Sequence, residues 1–146
     1  MKIWCDMDGV LVGLYDIPDW LDKLRSYDPS PYVDARPLVN LSRLARYLNK
    51  LQMCGHEIGI ITWLSKDPDP YYGALVTMAK NVWLQKHMPS VKWDFIHIVP
   101  YGTDKRAVCG DGILFDDETA NRIAWGDGAY DPCEIFTVLA ELTKAD

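Results

Sequence analysis

Two carboxylates two residues apart, Asp6 and Asp8, close the short apolar run Ile3-Trp4-Cys5, and Gly9 follows at once. In an extended strand, residues i and i+2 point to the same side. The pair therefore faces one site at the strand's C-terminal end, where open α/β sheets place their ligands. Like charges this near repel, and burying them unpaired costs free energy. A hard, oxygen-seeking cation such as Mg²⁺ relieves both. The plainer reading is that Asp-x-Asp-Gly forms a turn after an edge strand. A calcium-binding EF-hand loop is excluded: it wants glycine sixth and glutamate twelfth, whereas counting from Asp6 the glycine is fourth and the twelfth residue is Ile17.

Two further apolar runs end in polar residues. Glu57-Ile58-Gly59-Ile60-Ile61-Thr62-Trp63 carries the hydroxyl of Thr62 near its end, and Gly112-Ile113-Leu114-Phe115 runs into Asp116-Asp117, with Lys105 eleven positions before Asp116. Each has an ordinary reading. Thr62 suits a strand because it is β-branched. Lys105 and its rival Lys66, four residues beyond Thr62, read as solvated cations. Asp117 can cap the next helix. Asn121, one helical turn after Asp117, either reaches the site or lies on the surface. Together these residues set four carboxylates, a hydroxyl and an ammonium along one edge of a sheet, which packing alone does not require.

The intervening segments supply the frame. Leu38, Leu41, Leu44, Ala45, Leu48 and Leu51 recur at helical spacing, with Gly55 as a stop. A helix over about 71–87 is predicted to turn Leu75, Met78, Ala79, Val82 and Trp83 inward. Residues 93–99 read as a third strand, 118–125 as a helix, and 132–144 as a closing helix with Ile135, Phe136, Val138, Leu139 and Leu142 apolar. Such alternation predicts an α/β fold, a Rossmann-like parallel sheet with helices on both faces. The whole of 1–146 reads as one domain. Residues 9–37 form a glycine-punctuated flap and a small cap-like insertion after the first strand. Within it Asp16 is the expected N-cap of a helix presenting Trp20, Leu21 and Leu24 on one face, and Asp28-Pro29-Ser30-Pro31 breaks that helix.

These motifs, in this order, resemble the haloacid dehalogenase-like superfamily. Its phosphatases carry DxDG[TV], an apolar strand ending in Thr or Ser, a lysine, and an apolar strand ending in DD. Here those read Asp6-Met7-Asp8-Gly9-Val10, Ile60-Ile61-Thr62, Lys105, and Ile113-Leu114-Phe115-Asp116-Asp117. The resemblance implies a Mg²⁺-dependent phosphomonoester hydrolase in which Asp6 is the nucleophile and Asp8 the acid and base. It also implies Thr62 and Lys105 as phosphate binders. Mg²⁺ would be held by Asp6, Asp116, Asp117 and the backbone carbonyl of Asp8. The run from Ile113 through Asn121 to Trp125 loosely resembles 5′-nucleotidase-type members. This implies a phosphorylated small molecule, a nucleotide or a nucleic-acid end as substrate. So short an insertion implies an open site or a lid made by oligomer contacts. Tyr15, Trp63, Tyr71, Tyr72 and Trp125 offer faces on which a base could stack, with ordinary packing as the alternative. The competing class is a non-catalytic phosphate- or partner-binding module on the same scaffold.

Composition narrows the field. The 146 residues are 49% apolar and 25% charged, ordinary values for a globular chain. A net charge of −6 without a basic block argues against an extended nucleic-acid footprint. Cys5, Cys54, Cys109 and Cys133 show no zinc-type spacing and read as reduced thiols in a cytoplasmic protein. No leader and no run of membrane-spanning length is visible. His56, His87 and His97 share no ligand spacing. Gly110-x-Gly112 and Gly126-x-Gly128 do not extend to a nucleotide-cradling loop.

Overall fold

The computed structural model describes residues 1–66 and 69–146. At its centre lies β1 (Lys2–Cys5), whose Ile3, Trp4 and Cys5 are buried. β2 (Glu57–Trp63) and β4 (Ile113–Phe115) flank it, with β3 (Phe95–Val99) and β5 (Ala129–Tyr130) outside them, giving the order β3-β2-β1-β4-β5 with every pairing parallel. Cys5 is level with Ile60 on one side and Phe115 on the other. That register makes Asp6 and Asp116 the next residues out of two adjacent strands, with Thr62 on the third.

Buried parallel strands need cover on both faces. Ile3, Cys5, Ile58, Ile60 and Phe115 pack under α3 (Leu41–Met53), α4 (Pro70–His87) and α7 (Ile135–Ala145). On the opposite face Trp4, Ile61 and Leu114 meet Cys109 and Trp125, from α5 (Lys105–Cys109) and α6 (Thr119–Trp125). Gly59 lies against the Trp4 ring, and a Cβ there would come within 2.5 Å of it. The α/β reading with helices on both faces therefore holds.

Several elements differ from expectation. α4 buries Tyr72, Gly73, Val76, Ala79, Lys80, Trp83 and Leu84, whereas Met78 and Val82 face outward. The helix is apolar on nearly every side, so periodicity alone does not select its inner face. A 3₁₀ turn at Leu14–Asp16 replaces the start expected at Asp16. α1 (Trp20–Arg25) then begins after Asp19, whose φ is 58°. A short helix, α2 (Ser30–Asp34), occupies the supposed break, with proline in the first turn where its missing N–H costs nothing. The polar stretch around Lys105 is α5, the last helix is preceded by a 3₁₀ turn at Pro132–Glu134, and β5 is too short to show as an apolar run.

The segment between β1 and α3 leaves and returns at one place. Gly13 N–H donates to the Arg36 carbonyl at 2.8 Å, and Leu38 N–H to that of Leu11 at 2.9 Å. Its far end is pinned to α4: Tyr72 Oη donates to the Asp28 carbonyl and Trp83 Nε1 to that of Ala35. Leu14, Tyr32, Tyr72, Val76 and Ala79 form a small core of their own. Among the described residues no helix is long and apolar enough to cross a membrane, and all four cysteines are free.

The α4 assignment is open to test. Val76→Ala, at a fully buried position, is expected to cost about 1–3 kcal/mol in chemical denaturation. Met78→Ala, at an exposed one, is expected to stay within about 0.5 kcal/mol of the parent.

Candidate active site

One carboxylate oxygen each from Asp6, Asp116 and Asp117 lies within 4.8 Å of the other two. The sheet brings them together. Asp6 N–H continues the ladder to the Phe115 carbonyl at 3.0 Å, so β1 and β4 deliver their carboxylates side by side. Each is then held by donors. Asp6 Oδ1 accepts the Met7 N–H at 2.7 Å. Asp116 Oδ1 accepts from Glu118 N–H at 2.9 Å, and its Oδ2 from Lys105 Nζ at 2.6 Å and Asn121 Nδ2 at 3.2 Å. Asn121 thus reaches the site through Asp116. Asp117 is not the cap of α6; Glu118 holds that position, without a side-chain bond. Gly9 is required here on two counts: its φ is 81°, and a Cβ would collide with the Asp117 carboxylate.

Of the two lysines weighed from the sequence, Lys105 is 4% exposed and lies between Asp116 and Asp6, 3.0 Å from Asp6 Oδ2. Asp104 positions it by capping α5, accepting the N–H groups of Arg106 and Ala107. Lys66 is exposed at the rim. A third lysine escaped the sequence reading. Lys80, 1% exposed in the middle of α4, donates to Asp8 Oδ2 at 2.9 Å, Thr62 Oγ1 at 2.6 Å and the Trp63 carbonyl at 2.9 Å. The signal was there: a lysine sharing the helical row of Val76, Ala79 and Trp83 must find an acceptor or stay out of the core.

Four carboxylates against two ammoniums leave two negative charges over, the charge of one divalent ion. Without it, protons are retained. Burial first, then the charges of Asp6 and Asp116, push the Asp117 carboxyl up to about 7. Burial and Asp6 raise Asp116 against the opposing pull of Lys105. Burial raises Asp8 too, with Lys80 opposing and Asp6 adding. Burial would lower the Lys105 ammonium, but Asp6 and Asp116 outweigh it and hold it above its ordinary value. Hard oxygen donors with surplus negative charge suit Mg²⁺. The Asp8 side chain is turned to Lys80 instead of joining the cluster.

Asp6, Asp8, Asp117 and Thr62 line a cavity of about 720 Å³. The insertion supplies one wall, with Tyr15 and Trp20 edge to face at 5.0 Å. Trp63 and Tyr101, with ring centroids 4.9 Å apart, stand at the ends of the strands. Burial first, then Asp8 and Asp117, hold the Tyr15 phenol well above its ordinary range, as expected at a mouth lined with carboxylates. The other rings named from the sequence lie elsewhere. Tyr72 and Trp125 are buried and bonded to backbone carbonyls, and Tyr71 is exposed outside the cavity lining. The insertion thus lines one side of the site.

No family model and no curated protein matches the chain. Among solved structures, the crystal structure of D,D-heptose 1,7-bisphosphate phosphatase from Burkholderia thailandensis matches with a TM-score of 0.50 and 14% identity, over 84% of this chain and 70% of that one. The likeness is one of fold: the chain shares with that structure a Rossmann-like α/β architecture, here a five-stranded parallel sheet of order β3-β2-β1-β4-β5.

The acidic cluster makes a signed prediction. A carboxyl held near 7 when folded but titrating at about 4 when unfolded gives the metal-free folded state the greater proton uptake between those values. Its stability contribution therefore falls as pH rises through that window. A bound divalent ion removes the penalty. The rise in melting temperature on adding Mg²⁺ is expected to be larger near pH 8 than near pH 5, and Asp117→Asn to reduce that difference, both read by thermal denaturation.

Proposed function

We propose that the chain is a Mg²⁺-dependent phosphomonoester hydrolase working through an aspartyl-phosphate on Asp6. One observation carries the reading. Asp6, Asp8, Thr62, Lys105, Asp116 and Asp117 come from separate stretches of sequence, and they meet at one edge of the sheet beside a cavity large enough for a small phosphate ester. A module that only binds phosphate has no use for a nucleophile beside an acid.

Asp6 attacks phosphorus as the bond to the leaving oxygen breaks, the carboxylate form of covalent catalysis. Asp8, raised by burial, donates the proton that oxygen needs. It then takes a proton from water as the water oxygen attacks phosphorus. The bond between phosphorus and Asp6 breaks, releasing inorganic phosphate and restoring both carboxyl groups. Thr62 donates its hydroxyl to a phosphoryl oxygen, and Lys105 offsets the charge of Asp6 and phosphate. When held by Asp6, Asp116, Asp117 and the Asp8 carbonyl, Mg²⁺ supplies the positive charge that lets a carboxylate approach an anionic ester.

Residues 1–146 then act as one domain, with 9–37 as its cap. The leaving group lies between the Tyr15/Trp20 wall and the Trp63/Tyr101 wall, near Arg25 and Lys66. Aromatic side chains lining the cavity on two sides suit a flat ring. A nucleotide is therefore the proposed substrate class, with a phosphorylated nucleic-acid end as its larger variant.

With para-nitrophenyl phosphate and Mg²⁺, the protein is expected to release phosphate and to stop on chelation. Asp6→Asn is expected to lose about 10³-fold or more. Wild-type rates in Asp6→Asn would remove Asp6 as nucleophile, and no release by the parent would favour the non-catalytic module. Among natural esters, nucleoside 5′- and 3′-phosphates are expected to exceed sugar phosphates in kcat/KM.

A further inference from the structure

We infer that Lys80 is a positioning residue that sets the working orientation of both Asp8 and Thr62; the inference rests on the hydrolase reading above. An ammonium has three N–H groups, and those of Lys80 have three acceptors: Asp8 Oδ2, Thr62 Oγ1 and the Trp63 carbonyl. The head group is 1% exposed and sits 5.3 Å from the centre of the Tyr32 ring, so it is shut in by the insertion as well. No donor is left for substrate, and Lys80 acts through its neighbours.

Two consequences follow. With Oδ2 committed to Lys80, Asp8 has one free oxygen, and Oδ1 is buried without a hydrogen-bond partner among the described residues. A buried acceptor without a donor is costly. Asp8 lines the cavity, so Oδ1 is the oxygen left to exchange a proton with the leaving group and then with water, either of which would be its missing partner there. The second consequence concerns Thr62. Its oxygen accepts from Lys80, so its own hydrogen must point away from the ammonium. This fixes the hydroxyl as a donor, which a phosphoryl oxygen requires. Lys80 also ties together the ends of β1 and β2 from α4, so one side chain sets both groups relative to each other.

An ion pair that only stabilises the fold would make a different forecast, and substituted phenyl phosphates of graded leaving-group acidity separate the two. Protonation matters most for the poorest leaving group, where general acid catalysis is worth about 10²–10⁴-fold. In Lys80→Met, kcat/KM is expected to fall about 100-fold on the least acidic phenol and about tenfold less than that on the most acidic, steepening the leaving-group dependence. Adding Lys80→Met to Asp8→Asn is expected to steepen it no further. Lys80→Gln keeps a donor at the site and carries the same comparison if Lys80→Met does not accumulate folded. The Mg²⁺-induced rise in melting temperature, which reads the cluster of Asp6, Asp116 and Asp117, is expected to survive in both variants. Equal losses across the series, or none, would overturn the role of Lys80 while leaving the hydrolase reading intact. A parent that cleaves no member of the series would instead remove the hydrolase reading, and the role of Lys80 with it.

Discussion

Charge compensation at the end of a buried parallel sheet is the constraint on which the rest of this structure depends. Asp6 and Asp116 are nearly or wholly out of solvent, and a carboxylate there stays charged only if cations or donors meet it. Two buried lysines answer that need from opposite sides, Lys105 for the β1/β4 pair and Lys80 for the β1/β2 pair. The helices that carry them have to lie where they do. α5 is five residues long and capped by Asp104, just enough to aim one lysine. α4 is held under the insertion by Tyr72 and Trp83.

The same constraint explains the backbone. Register between β1 and β4 sets Asp6 beside Asp116, and Gly9 lets the chain turn over Asp117 without a Cβ in the way. Met7 contributes its carbonyl, which accepts the N–H groups of Val10, Leu11 and Val12. The chain after Asp8 is thereby folded onto itself at the start of the insertion. Fixed geometry of this kind is what electrostatic preorganisation requires, since donors already in place need not reorient as charge develops.

Much of this was legible in the residues. Asp6-x-Asp8-Gly9 and Asp116-Asp117 each follow an apolar run, and polar groups ending buried strands mark the ligand edge of an α/β sheet. Lys80 was not legible as a partner, because α4 is apolar on almost every side and the acid it meets lies 72 residues away in sequence. Local pattern carries no such distance. The outward turn of Met78 and Val82 has the same origin: with apolar residues all round, tertiary packing decides the face, and the one buried carries Tyr72, Val76, Ala79, Trp83 and Leu84 into the core with Lys80 among them. α2 and β5 are short elements settled by tertiary contacts, which spacing rules do not reach. The rings divided for a similar reason: Tyr72 and Trp125 have polar atoms that found backbone carbonyls inside, while Trp63 bonds the Thr103 carbonyl and lines the cavity.

The paired backbone contacts at Gly13/Arg36 and Leu11/Leu38 give the insertion a single doorway. Extra length in the exposed part of the insertion, away from Tyr32 and the contacts to α4, has little effect on the sheet, because closing a longer loop adds only about 0.6 kcal/mol per doubling. Bulkier or slimmer cargo could thus be accommodated by editing one surface excursion, while the carboxylates behind it stay where they are.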